Sequence, residues 1–391
     1  MPERYRATPT NTPRISYPGA PARRRATDDE EVTNPDANIA TAVERQLAAF
    51  LDRATEPVRD IGPFSEALDA LTRFVLNGGK RLRPTFAWWA WRGAGGAATG
   101  DDATGALQAV SALELLQACA LVHDDLMDDS DSRRGTDTVH VAFAKQHAER
   151  GWHGDAERFG LAASVLIGDV ALAWSDDMYA SAPLPARSLA AARPIWQAMR
   201  TEVLAGQYLD VHTQAVGDSS PEAALRVNEL KTAAYTVVRP LQLGAALAGA
   251  GEELLAALRR FGHDIGVAFQ LRDDLLGVFG DPAVTGKPAG DDLREGKRTL
   301  LVALGLERAR DTGRHADEQA IATAVGDALL SDAQLDTARD ALHDVGAVEA
   351  VEQRIGELTD SALATLRETS LTERAREELV RLAHAATNRT A

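Results

Sequence analysis

Five aspartates fall in one short stretch, Leu121–Gly135 (LVHDDLMDDSDSRRG): Asp124, Asp125, Asp128, Asp129 and Asp131, just ahead of Arg133 and Arg134. The nearly uncharged segment Ala106–Val122 runs straight into them. On a helix, Asp124 and Asp128 share one face, where like charges repel. At a helix C-terminus the macrodipole adds to that repulsion, so the pair calls for a cation. A second pair, Asp273-Asp274 in FQLRDDLLGVFGD, again stands near the end of an apolar helix. Two such pairs read as opposite walls of one cavity. Their hard oxygen atoms suit magnesium, which takes one or two carboxylates together with substrate phosphates and water.

Basic clusters accompany the acids. Gly78-Gly79-Lys80-Arg81-Leu82-Arg83-Pro84 places three cations behind two glycines. The stretch Thr285–Thr299 (TGKPAGDDLREGKRT) carries Lys287 and Lys297, and Lys231-Thr232 stands apart on an expected helix. Metal-binding acids beside Arg forks and Lys point charges are what a diphosphate needs.

The elements that must position these residues read as helices. From Ile39 onward Ala, Leu, Glu and Arg dominate and apolar residues recur at three and four. Helices are expected near 39–57, 64–77, 81–92, 104–130, 137–149, 158–182, 188–214, 221–248, 252–278 and 297–310, with three or four more between 316 and 388. Ser220-Pro221 reads as an N-cap followed by proline at the first helical position. Asp101, Asp102 or Thr104, and later Thr372, are the expected caps of their helices, and Gly135 the place where the aspartate helix stops. No alternating strand pattern or fixed repeat is visible, so the fold class is all-α, with one helical domain over residues 39–391. Residues 1–38, rich in proline and arginine without apolar periodicity, read as a disordered arm.

Composition narrows the function. The 391 residues carry 42 Lys+Arg against 58 Asp+Glu, a net charge of −16, which argues against general nucleic-acid binding. Cys119 is the one cysteine, so no internal disulfide is possible and a reducing, cytoplasmic setting is expected. Glu114 and Gln117 interrupt Ala106–Val122, which reads as a buried core helix and not a membrane span.

HDDLMD…RRG, taken with GGKRLRP, LKT, FQLRDD and GKPAGDDLREGK, resembles the trans-isoprenyl diphosphate synthases, the polyprenyl synthetase family. The motifs stand in the family's order over residues 78–299. The resemblance implies a bundle of mostly antiparallel helices around a deep central cavity, working as a homodimer. It implies isopentenyl diphosphate and an allylic diphosphate (dimethylallyl, geranyl or farnesyl) as substrates. Three magnesium ions are implied, two at Asp124 and Asp128 and a third at Asp273, with Asp125 and Asp274 supporting. Arg133, Lys231 and Lys287 match positions on the allylic diphosphate, and Lys80, Arg83, Gln117 and Arg134 match positions that hold isopentenyl diphosphate. Gln270, Thr232, Asp274 and Lys297 match positions around the metal-diphosphate cluster. Gly206-Gln207 and Asp210 are family-like and equally suit helix packing.

One departure stands out: the second motif ends in Gly277 where the family often has a third aspartate. The first aspartate bears the metal contact in the family, so Asp273→Ala is expected to cost far more activity than Gly277→Asp changes it. The growing product is expected to descend beside the first aspartate helix. Cys119 and Ala120, one turn before Asp124, are small there and leave Leu116 as a floor. That favours a twenty-carbon product, geranylgeranyl diphosphate, ahead of longer polyprenyl chains and farnesyl diphosphate. Two other classes are a terpene cyclase, which FQLRDD disfavours, and a non-catalytic regulatory subunit, which commonly loses one aspartate motif.

Overall fold

An apolar sequence with no polar face can only be stable as a helix if it is covered all round. In α4 (Asp101–Met127) the buried residues run from Ala103 to Asp125 on every face. Helices α1 (Ile39–Thr55), α2 (Gly62–Leu76), α3 (Leu82–Gly93) and α6 (Ala156–Ala180) pack against it. The computed structural model describes residues 34–133, 135–281 and 290–388. Residues 1–33 of the expected arm, Arg134 and Lys287 lie outside them.

The expected start of α4 needs correcting. Gly100 holds the N-cap, and Asp101 and Asp102 occupy the first turn, where the helix dipole favours their charge. The helix also ends earlier than expected, at Met127. Gly135 does not stop it; that glycine (φ 74°) sits in the turn of a short hairpin, β1 (Ser132–Arg133) with β2 (Thr136–Asp137). The hairpin is a small local exception that leaves the all-α class standing, and it is too short to show any alternation.

After α5 (Val139–Glu149) and α6 comes α7 (Ala186–Val216), followed by a helical path over 221–247. Ser220 caps α8 (Pro221–Val227) as expected, accepting a hydrogen bond from the Ala223 amide. The middle, Asn228–Val238, widens into a π-helix before α9 (Arg239–Leu247) resumes the regular pitch. π segments leave backbone carbonyls offset and concentrate at functional sites. Here Lys231 and Thr232 sit inside one. Gly206 of α7 explains how the neighbour approaches: a Cβ there would lie 2.4 Å from the Lys231 amide nitrogen.

α10 (Glu252–Phe279) joins two apolar clusters. Its Phe261 and Ile265 belong to the one built on α3 and α4, its Leu271 and Leu275 to a second shared with the later helices. Those are α11 (Asp291–Arg294), α12 (Leu300–Asp311), α13 (His315–Ala324), α14 (Asp332–Asp344), α15 (Ala347–Glu368) and α16 (Glu373–Thr387). Thr372 precedes α16 but does not cap it through its side chain; its hydroxyl donates to the Arg92 carbonyl instead. Asp36, expected in the arm, is tied to the bundle by Trp88 Nε1 at 2.8 Å and Arg92 Nε at 3.1 Å.

Candidate functional site

A cavity of about 890 Å³ opens between α3, α4, α7, the π-helix, α10 and the loop around α11. Its walls include Asp124 on one side and Asp273 and Asp274 on the other. Asp124 of the first acidic pair and both members of the second therefore face one space, while Asp128 stands behind the lining.

On the α4 side, Lys231 Nζ lies 2.8 Å from Asp124 Oδ1 and 2.5 Å from Asp210 Oδ2. Burial works against the Asp124 charge, but Lys231, with Lys297 and Arg133, holds its carboxyl below the usual range. Asp128, at the helix cap, fares the opposite way: burial, then repulsion from Asp124, pushes it up to about 7. Asp125 does not line the cavity and is fully buried, where Arg133 Nε donates to both its oxygens, at 2.7 and 2.8 Å. The same guanidinium reaches within 3.8 Å of Asp124. The next residue past the cap, Asp129, takes a left-handed φ of 52°, a conformation that costs a non-glycine residue strain and clusters at functional sites.

The other wall is a relay of polar groups. Thr232 donates to Gln270 Oε1 at 2.6 Å, and Gln270 donates to Asp274 Oδ1 at 2.7 Å. Burial first, with Asp292 and Asp273 adding repulsion, pushes Asp274 up to about 8 despite the Gln270 bond. Lys297 spans the two walls. Its Nζ lies 3.3 Å from Asp292, 2.5 Å from Glu295 and 3.8 Å from Asp128.

Along the mouth, Lys80, Arg83 and Gln117 line the cavity with Tyr235. Arg83 stacks 4.2 Å over the Tyr235 ring and donates to Thr236, while the Tyr235 hydroxyl donates to Gln117. Arg81, between the two expected cations, has a different task that sequence reading missed. With φ 49° it turns inward and pairs at 2.8 Å with Glu114, a carboxylate buried in the middle of α4. A lone charged residue within the apolar stretch Ala106–Val122 was the available signal: Glu114 had to have a partner.

Below the aspartates, Leu116, Cys119 and Ala120 line the cavity, whereas Ser111 and Ala112 are buried beneath and do not. Cys119 Sγ is 3.7 Å from His123 Nδ1, and burial pushes its thiol up to about 12, so it stays a neutral filler. His123 also lines the cavity, in room left by Gly168 of α6, where a Cβ would lie 2.1 Å from Nε2. Gln207 and Asp210 line it too, while Gly206 does the packing.

The residues fit a divalent cation shared with a substrate. Buried Asp124 Oδ1 has a charge contact but no hydrogen bond. Among the described residues no three acids, histidines or cysteines converge on a ready-made metal cage. Magnesium bound through one or two carboxylates plus phosphate oxygens needs no such cage.

Known proteins are similar to this chain in sequence and fold. The polyprenyl synthetase family model matches residues 65–335. A (2E,6E)-farnesyl diphosphate synthase of Mycobacterium tuberculosis is 34% identical over 303 residues, 76% of this chain and 77% of its own. A geranylfarnesyl diphosphate synthase of Natronomonas pharaonis is 30% identical over 82% of this chain and 91% of its own. The crystal structure of a geranylgeranyl pyrophosphate synthase from Corynebacterium glutamicum, complexed with isoprenyl diphosphate and magnesium, superposes with a TM-score of 0.86. It is 47% identical and covers 90% of this chain and 98% of that one. The chain belongs to the polyprenyl synthetase family and is a trans-prenyltransferase.

Proposed function

We propose that this chain condenses isopentenyl diphosphate with an allylic diphosphate in a magnesium-dependent reaction and releases mainly geranylgeranyl diphosphate. The observation that carries this reading is the pairing of two carboxylate clusters across one cavity, with Lys231 and Lys297 between them.

Asp124 and Asp128 would hold two magnesium ions and Asp273 a third, with Asp125 and Asp274 supporting. When bound, magnesium would neutralise diphosphate oxygens and stabilise the charge that develops as the allylic C–O bond breaks. Lys231, Lys297 and Arg133 add fixed positive charge toward the same oxygens, preorganised by their carboxylate partners. Arg133 reaches them from its grip on Asp125. Thr232 and Gln270 fix the orientation of the Asp274 wall. Lys80, Arg83 and Gln117 form the isopentenyl diphosphate side, joined by Arg134 in the role its motif implies, and Lys287 joins Arg133 and Lys231 on the allylic diphosphate. The isopentenyl double bond attacks the allylic cation, forming one C–C bond, and a proton leaves to the released diphosphate. The apolar stretch past Cys119 and Ala120 receives the growing chain and Leu116 closes it. A helical turn of about 5.4 Å matches one isoprene unit.

The partner surface in this reading is a second copy of the chain. α4 and α6 are both long and apolar enough to cross a membrane by length and composition; α4 is 83% buried over that window, α6 only 33%. α6 exposes Leu161 and Leu166, and α7 exposes Leu204 and Tyr208. A homodimer would cover such an apolar face.

Purified chain incubated with labelled isopentenyl diphosphate and an allylic starter, with and without EDTA, tests the proposal. Magnesium-dependent formation of a twenty-carbon product supports it. No product from the chain alone points to a non-catalytic subunit, and a main product of thirty or more carbons removes the Leu116 floor.

A further inference from the structure

The π-helix over Asn228–Val238 brings Lys231 and Thr232 to the cavity, and α10 is the surface on which it lies. Two glycines of α10 let the backbones meet. A Cβ at Gly266 would lie 2.6 Å from Ala233 Cα, and one at Gly262 would lie 3.0 Å from Val238 Cα. His263 follows Gly262 and is half-exposed. Its Nε2 lies 3.7 Å from Glu229 Oε1, two residues ahead of Lys231, and its Nδ1 lies 3.1 Å from Asp264 Oδ1. Arg226 of α8 meets the other Glu229 oxygen at 3.1 Å. The Ser361 hydroxyl of α15 donates to Asp264 Oδ2 at 2.7 Å, and the charge of Arg354, also on α15, is felt at Asp264. The network therefore joins α8, the π-helix, α10 and α15, and His263, Glu229 and Asp264 stand outside the cavity lining. The hydrogen bond with Asp264 outweighs burial and, with the Glu229 charge adding, raises the affinity of His263 for its proton.

We propose that protonated His263 is a positioning residue for prenyl transfer, holding the first turn of the π-helix on α10 from outside the cavity. A π segment replaces the regular i→i+4 hydrogen bonds with i→i+5 ones, so its register depends on what grips it. Gly262 and Gly266 seat its later residues, and the His263–Glu229 ion pair ties down its start. The register decides where two successive side chains go: Lys231 between Asp124 and Asp210, and Thr232 onto Gln270. The brace is in place while His263 carries its proton. It is lost as pH rises through the folded pKa, which lies above the usual histidine value. The inference rests on the diphosphate reading of Lys231 and Thr232.

Steady-state kinetics of the full chain with farnesyl diphosphate, isopentenyl diphosphate and saturating magnesium, at pH 6 and at pH 9, test it. Wild type should exceed His263→Gln in kcat/KM by about two- to fivefold at pH 6, the range a half-exposed ion pair can supply, and match it at pH 9. His263→Lys keeps its charge at both pH values and should hold its advantage over His263→Gln at both. Glu229→Gln should reproduce the loss at pH 6, and the double variant Glu229→Gln, His263→Gln should lose no more than Glu229→Gln alone, because the two residues act as one pair. A ratio of wild type to His263→Gln that is the same at pH 6 and pH 9 would overturn the proposal, since a merely structural histidine gives that result. Losses that simply add in the double variant would overturn it too. Wild type without turnover at either pH would overturn the functional reading, and this inference with it.

Discussion

Replacing Leu116 with alanine should lengthen the main product by about one isoprene unit. Leu116 lines the cavity and is only 2% exposed, so its isobutyl group closes the space below Cys119 and Ala120. One turn further down the same face stands Ala112, already small and fully buried. Truncating Leu116 therefore lowers the floor by about one turn, roughly 5.4 Å, before another large side chain intervenes. A buried Leu→Ala change costs about 2–5 kcal/mol; here the low end applies, because one side of Leu116 already borders open space. A domain with about 5–15 kcal/mol of stability survives that loss. The assay is chromatography of dephosphorylated products from labelled isopentenyl diphosphate, beside a melting curve that shows the variant folded. A shift of the main product from twenty to twenty-five carbons is expected. A folded, active variant with an unchanged product would refute the floor and place the ruler on another wall.

Four further outcomes follow from the same geometry. Asp273→Ala should reduce kcat/KM by orders of magnitude under saturating magnesium; steady-state kinetics near wild type would remove Asp273 from the metal site. Arg81→Met should destabilise the fold by about 3–5 kcal/mol in urea unfolding, because it strands the buried carboxylate of Glu114. Stability of the metal-free chain should fall as pH rises from 6 to 8.5. Asp128 and Asp274 bind their protons more tightly folded, at about 7 and 8, than unfolded near 3.9, so the stability from those protons is lost as pH passes the folded values. Magnesium with pyrophosphate should restore more melting temperature at pH 8.5 than at pH 6, since the ion needs the deprotonated carboxylates.

Much of this molecule was legible as sequence because its signals are local. Period-three-and-four apolar runs mark the helices, Ser220-Pro221 marks a start, and carboxylates at the ends of apolar runs mark the two walls. What escaped depends on tertiary distance. The π-widening at Lys231-Thr232 has no composition of its own; it becomes intelligible only when Gly206 is seen against that backbone. The Arg81–Glu114 pair joins residues whose separate readings were one cation of a diphosphate-binding cluster and an interruption in a core helix. The hairpin at 132–137 is too short for a period-two pattern. Asp36 fell in the expected arm for a similar reason, yet Trp88 and Arg92 bind it from α3.

The central claim is that the two aspartate clusters jointly hold a metal-bound diphosphate across the cavity. Anomalous diffraction from crystals grown with manganese and inorganic pyrophosphate tests it most directly. Ion peaks beside Asp124 and Asp128, and another beside Asp273, with the diphosphate between them, are the predicted result. Ordered pyrophosphate with no ion at either cluster, or ions bound only outside the cavity, would contradict it.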